Sequence, residues 1–161
     1  MPKRCRGFTL VELLVTITLV GILAAIAIPS FSSAIQNTRA DTEVSDFQRF
    51  LNYARQQAIN SGTVIRITPT VAGGAWNTQL SAIDPAAPAP IPILRVLPAM
   101  DSVSVLTVSG NPSAIDFNNL GGLAAPMPTP ATALSITYTR GTISRVINIC
   151  LSGRIVLGAC I

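Results

Sequence analysis

From Phe8 to Ile28 the chain reads FTLVELLVTITLVGILAAIAI, twenty-one residues with a single charge, Glu12, ending directly before Pro29. As an α-helix rising about 1.5 Å per residue, this run spans roughly 30 Å, the thickness of a bilayer's hydrocarbon core. The basic residues before it, Lys3, Arg4 and Arg6, favour a cytoplasmic N-terminus and export of residues 30–161. A cleaved secretory signal is the competing reading, with Ala24-Ala25-Ile26-Ala27 as the nearest approach to its cleavage site, but its apolar region is normally shorter. Glu12 complicates a plain anchor. A carboxylate inside an apolar span costs several kcal/mol without a partner, so it either stays hydrated at the interface or meets a positive charge.

The rest of the chain is bounded by composition. A length of 161 residues supports one modest domain, and 49% hydrophobic against 11% charged residues excludes a disordered charged tail. Histidine is absent, which removes the commonest general base, zinc ligand and partner of a nucleophilic serine or cysteine. No enzyme, cofactor or metal is expected. The formal charge of +4 drops to +1 without residues 1–7, because three of eleven basic residues lie there while all seven acids remain.

Beyond Pro29, Val44, Phe47, Phe50, Leu51, Ala54 and Ala58 recur at helical spacing with charged residues between them. Ser61-Gly62 supplies a stop. The pattern predicts one helix from about Phe8 to about Asn60, bent near Pro29, whose second half covers a globular domain. Arg39, Arg49 and Arg55 read as a solvated face. From Thr63 the texture changes to short β-rich runs broken by Gly, Pro and Asn: 63–68, 76–83, 93–97, 102–108, 134–140, 144–151 and 154–157. Trp76 reads as a core or sheet-face anchor. Two Pro/Ala-rich stretches, 84–90 and 124–130, cannot be strand interiors and read as exposed loops stiffened toward polyproline geometry. The fold class is α+β, a long helix packed on antiparallel sheet.

The stretch Arg6-Gly7-Phe8-Thr9-Leu10-Val11-Glu12-Leu13-Leu14 resembles the processing site of type IV pilins and type II secretion pseudopilins. The resemblance implies a leader, residues 1–7, cut by a prepilin peptidase between Gly7 and Phe8, with Phe8 methylated on its new amine. It places the family's glutamate on Glu12 and its helix-bending proline on Pro29. It also supplies the missing cation, since Glu12 then meets the charged amine of Phe8 on a neighbouring subunit and sets the axial register. The run from Ile115 to Gly122, the strand Leu134 to Thr139, and Ser152-Gly153-Arg154 resemble the C-terminal part of FimT and FimU-like minor pilins, grouped with the pseudopilin GspH. The implied organisation is a leader (1–7), a long helix (8–61, with a transmembrane or filament-core part 8–28) and a β-rich domain (62–161).

Removal of the leader takes Cys5 with it and leaves Cys150 and Cys160, which in an oxidising compartment form a disulfide. A two-residue turn at Gly153-Arg154 would set Leu157 opposite Cys150, so the bridge needs a wider loop or a last segment that leaves the ladder. Arg140, Arg145 and Arg154 form the one arginine cluster to weigh for DNA binding. Some FimT-like pilins carry G-R-x-R at the corresponding place, where this chain has Gly153-Arg154-Ile155-Val156, and a charge near +1 offers little counterion release.

The function implied by the resemblance is that of a minor pilin, a non-enzymatic subunit of a type IV pilus working in assembly, near the tip. It is held first in the bacterial inner membrane with its domain in the periplasm, then in the surface pilus among major and minor pilins. The alternatives are a type II secretion pseudopilin of the GspH kind and a DNA receptor for natural transformation.

Overall fold

A computed structural model of the chain describes residues 8–124 and 133–160. The leader with Cys5 and Gly7, and residues 125–130 of the second Pro/Ala-rich stretch, lie outside the described residues. Among the described residues one helix, α1 (Leu10–Ser61), precedes nine strands: β1 (Ile65–Pro69), β2 (Leu80–Ile83), β3 (Ile93–Leu97), β4 (Ser104–Val108), β5 (Ile115–Phe117), β6 (Leu123–Ala124), β7 (Leu134–Arg140), β8 (Ile143–Ile149) and β9 (Ile155–Val156). The chain divides into two compact units, Met1–Arg39 and Ala40–Ile161. The boundary falls within α1 rather than at residue 62, because the second half of the helix is part of the core of the larger unit.

In the first unit Thr9 caps α1. Its hydroxyl accepts the N–H of Glu12 at 3.2 Å and its carbonyl that of Leu13 at 3.2 Å, which satisfies donors left over at a helix start. Glu12 therefore sits in the first turn, where the helix dipole favours negative charge. Thr16 and Thr18 turn their hydroxyls back onto the carbonyls of Leu13, Leu14 and Val15, so an apolar surround leaves neither unsatisfied. The large apolar side chains from Phe8 to Ile28, and Phe31, are exposed. The helix assignment continues through Pro29, although proline has no N–H to give to the preceding turn.

In the second unit Ala40, Val44, Phe47, Leu51, Ala54 and Ala58 are spaced alternately four and three residues apart and are all buried. That stripe is what a helix needs to bury one face. The helix stops where Gly62, at φ 69°, donates its N–H to Ala58 at 3.0 Å; a residue with a Cβ would be strained in this left-handed conformation.

The strands form two antiparallel sheets, ordered β3-β2-β1-β5-β6 and β4-β7-β8-β9. One core gathers the helix stripe with alternate residues of both sheets, among them Ile65, Ile67, Ile115, Phe117, Ile136, Tyr138, Ile147 and Ile149. Alternation is cleanest along β7, where Leu134, Ile136, Tyr138 and Arg140 all point inward. Trp76 is buried and donates its indole N–H to the Pro112 carbonyl at 3.2 Å.

Three sequence expectations change. The run 76–83 shortens to β2 because Ala75 accepts both the backbone N–H and the hydroxyl of Thr78, at 3.1 and 2.6 Å, closing a turn. The stretch 115–124 holds β5 and β6, which completes the first sheet. The loop after Ile83 opens as a turn in which Asp84 accepts the N–H of Ala86 on its carboxylate and that of Ala87 on its carbonyl, rather than as a polyproline rod.

Cys150 and Cys160 are joined, with Cα atoms 5.6 Å apart. The register Ile149↔Ile155, with Cys150 donating to the Arg154 carbonyl at 2.9 Å, leaves a three-residue loop, Leu151 to Gly153. The ladder ends at Val156, and the side-chain amide of Asn148 donates to the Gly158 carbonyl. The last segment thus leaves the sheet, which is the condition that brings Cys160 back to Cys150.

Candidate functional site

The second half of α1 is tied to its sheets by polar contacts that hydropathy does not reveal. Glu43, one turn before Phe47, accepts hydrogen bonds from Ser104 Oγ at 2.6 Å and Tyr138 Oη at 2.7 Å. Its other carboxylate oxygen accepts the Asp101 N–H at 3.2 Å and lies 3.5 Å from Arg140. Arg140 also donates to Asp101 at 2.7 Å and Ser104 at 3.0 Å. The Arg140 hydrogen bond holds the Asp101 carboxyl below the usual carboxylate range, and the Asp101 carboxylate raises the Arg140 guanidinium in turn. Burial pushes the Tyr138 hydroxyl up. The two carboxylates share the one guanidinium, and hydrogen bonds from Ser104, Tyr138 and the Asp101 N–H serve Glu43 besides, an arrangement that fixes helix register against the sheet.

A second pair lies across β1 and β5. Arg66 is opposite Asp116 and grips it with two hydrogen bonds of 2.9 and 2.7 Å, in the bidentate geometry that makes arginine–carboxylate pairs strong. At the far end of α1, Arg55 donates to the Gly121 carbonyl at 2.9 Å and the Ser152 carbonyl at 3.5 Å. There the two glycine-bearing loops meet: a Cβ added to Gly153, which has φ 76°, would lie 1.6 Å from the Gly121 oxygen. Leu123 N–H donates to Leu151 O across the same seam at 3.1 Å, so the loops that carried the C-terminal resemblance join one sheet to the other.

The structure separates the three arginines weighed for DNA. Arg140 is only 4% exposed and held by Asp101 and Glu43, so it is corrected from a polyanion contact to a core ion pair. Arg145 reaches Asp41 on the helix at 3.1 Å. Arg154 is exposed and lies opposite Cys150, five residues along β8 from Arg145, roughly 17 Å at strand rise. With Arg140 buried and Arg145 paired to Asp41, the three do not form one exposed cationic cluster among the described residues. Among the described residues no group of three or more His, Cys, Asp or Glu is placed to hold a metal.

Sequence reasoning paired Cys150 with Cys160, as the structure does, but missed Thr9, whose T-x-x-E spacing to Glu12 is a legible capping signal. It also missed Glu43 and Asp116, because single carboxylates in amphipathic or strand patterns carry no mark of a partner far away in sequence.

The profile of the family described as Type II transport protein GspH matches residues 43–153, and that of the Prokaryotic N-terminal methylation motif matches residues 2–28. A probable minor fimbrial protein of Dichelobacter nodosus is 30% identical over 146 residues, covering 88% of this chain and 76% of that protein. The crystal structure of the type IV minor pilin FimU of Pseudomonas aeruginosa superimposes with a TM-score of 0.59 at 19% identity, covering 80% of this chain and 91% of that one. The minor pseudopilin EpsH from the type 2 secretion system of Vibrio cholerae does so with a TM-score of 0.56 at 13% identity, covering 75% and 97%.

Proposed function

The chain belongs to the GspH family of pilin-like proteins, the minor pilins and pseudopilins of type IV pili and type II secretion, and from that premise we propose that it is a minor pilin of a type IV pilus. The observation that carries the proposal is the join of an exposed, capped apolar helix segment to a separately packed α+β unit. Burial of Phe8 to Ile28, first in lipid and then among similar helices, is the force for anchoring and for assembly. The resemblance to a fimbrial protein over most of the chain favours the pilus over secretion.

In this reading a prepilin peptidase cuts between Gly7 and Phe8, and Phe8 is methylated. Glu12 then meets the Phe8 amine of a neighbouring subunit. Glu12 lies in the first turn of the helix, at the positive end of its dipole, and the amine offsets the cost of its desolvation. Pro29 relaxes the helix where the apolar segment ends. Lys3, Arg4 and Arg6 keep the N-terminus cytoplasmic, the disulfide suits a periplasmic and then extracellular domain, and the family relation supports structural work among other pilins, which this reading sets near the tip.

Glu12→Ala tests the assignment. The variant should be cleaved and membrane-bound like the wild type but depleted in sheared surface filaments. Normal amounts in the filaments would refute the role of Glu12. A wild-type chain that is processed but confined to the envelope would favour the secretion pseudopilin.

A further inference from the structure

In the larger unit the β1–β2 and β4–β5 loops enclose a cleft of about 180 Å³. Its apolar lining is Pro69, Trp76 and Pro112, and its polar side chains are Asn111 and Ser113. The two loops are held together without a ligand. Trp76 Nε1 donates to the Pro112 carbonyl at 3.2 Å and Thr68 Oγ1 to the Ser113 carbonyl at 3.3 Å. The turn before Trp76 closes through the Gly74 N–H on the Val71 carbonyl at 2.9 Å. A site formed beforehand loses little conformational freedom on binding. A Cβ on Gly74 would fall 2.8 Å from the Val71 oxygen, whereas one on Gly73, which also lines the cleft, would meet nothing within 4 Å. The wall at Gly73 is therefore open backbone.

The polar side chains of the cleft have no work inside the molecule. Neither Asn111 nor Ser113 makes a side-chain hydrogen bond among the described residues. Asn111 also holds a left-handed backbone, φ 43°, and is the one non-glycine residue to do so among them. Such conformations cost energy and cluster where ligands are held. The Asn111 amide offers both a donor and an acceptor, and so does the Ser113 hydroxyl. Among the described residues no charged side chain lines the cleft, and a charge placed there without a partner is costly. The occupant is therefore neutral, carries a donor and an acceptor close together, and has an apolar end for the prolines and Trp76. It is also small, because the volume lies below that of sites for drug-sized ligands.

We propose that this cleft binds the acetamido group of an N-acetylated sugar. The methyl packs on Trp76 and the two prolines, the amide N–H and carbonyl pair with Asn111 and Ser113, and the ring follows the open backbone at Gly73. A secondary amide with a methyl end meets every condition that the lining sets. Trp76 is only 4% exposed, too little for a bare sugar ring to stack on its face, so the acetamido group rather than the ring carries recognition. An extended peptide bears the same amide but docks by adding to a free strand edge, and β1, beside the cleft, is paired on both sides by β2 and β5.

The test uses Trp76, the one tryptophan of the chain, as its own reporter in the full-length protein, held in a detergent without sugar head groups. N-acetylglucosamine should shift the Trp76 emission saturably, with half-saturation at millimolar concentration. Glucose and glucosamine, which lack the acetamide, should bind at least about tenfold more weakly. Asn111→Gly allows the left-handed backbone and should weaken N-acetylglucosamine about tenfold with little change in the urea midpoint; Ser113→Ala should act in the same direction. No saturable shift at any soluble concentration, equal binding of glucose, or full affinity in both variants overturns the proposal. So does an N-acetylated amino-acid amide that binds as tightly as the sugar. Two further ligands separate the sources of the group. Tighter binding of the muramic-acid disaccharide of cell wall than of diacetylchitobiose assigns a cell-wall glycan, the reverse assigns a chitin-like external glycan, and either result supports recognition of the acetamido group.

Discussion

Removing the disulfide gives a stability loss that can be worked from the loop it closes. Cys150 and Cys160 are ten residues apart, and the chain-entropy relation for a loop of that size gives about 9 cal/mol/K, or about 2.7 kcal/mol at 25 °C. The native state should change little, because the two β8–β9 pairs and the Asn148–Gly158 hydrogen bond hold the segment independently. The substitutions follow burial: Cys150→Ala, since Cys150 is buried, and Cys160→Ser, since Cys160 is exposed. Trp76, the one tryptophan, is buried and distant in sequence, so its fluorescence reports unfolding of the whole unit rather than of the terminus. With a urea slope of about 1.5–2 kcal/mol/M, the midpoint of the full-length chain in detergent should fall by about 1.5 M, and reduction of the wild type should reproduce the shift. A loss below about 1 kcal/mol, or a changed Trp76 spectrum before the transition, would refute the reasoning.

Gly153→Ala should cost more than Gly141→Ala in the same assay. Both glycines have positive φ, but only at 153 does the new Cβ strike a backbone carbonyl; the first should lose about 3 kcal/mol or more and the second about 1. Phe47→Ala empties a fully buried site on the helix stripe and should lose about 3–5 kcal/mol. Asp101 has a folded-state pKa below its unfolded value, so its contribution is fully present above the unfolded value near 4 and fades as pH falls through the lower folded one. The urea midpoint should therefore drop as pH falls below about 4, and Asp101→Asn should flatten that drop. Tyr138 is shifted the other way. Its neutral form is preferred in the fold, so stability should be lost as pH rises above about 10, and Tyr138→Phe should remove that part of the alkaline loss.

What was legible in the sequence followed from strong, local or periodic signals. The apolar run, the helix stripe from Val44 to Ala58, the Gly62 stop and the alternation of β7 and β8 are each set by one period and one burial choice. Ala40 escaped notice because alanine is a weak apolar signal, and β5 and β6 because strands of three and two residues are too short to show alternation. Arg140 was misread for a physical reason. It continues the inward alternation of Leu134, Ile136 and Tyr138, but a charged residue at the end of a strand reads as surface unless its carboxylates, Asp101 and Glu43, are known to converge on it. Those partners lie 39 and 97 residues away in the chain, and only the folded topology brings them together. The docking of the two glycine-bearing loops by Arg55 was hidden likewise, since it depends on contacts between loops that close different sheets.

The central claim is that this chain is processed and built into a surface filament. The most direct measurement is the intact mass and N-terminal peptide of the protein recovered from sheared filaments, set beside that of the membrane fraction. The account predicts a chain in the filaments that begins at methylated Phe8 and is two hydrogens lighter for the Cys150–Cys160 bridge. A filament chain that still begins at Met1 or Pro2, or a processed chain found only in the envelope, would contradict it.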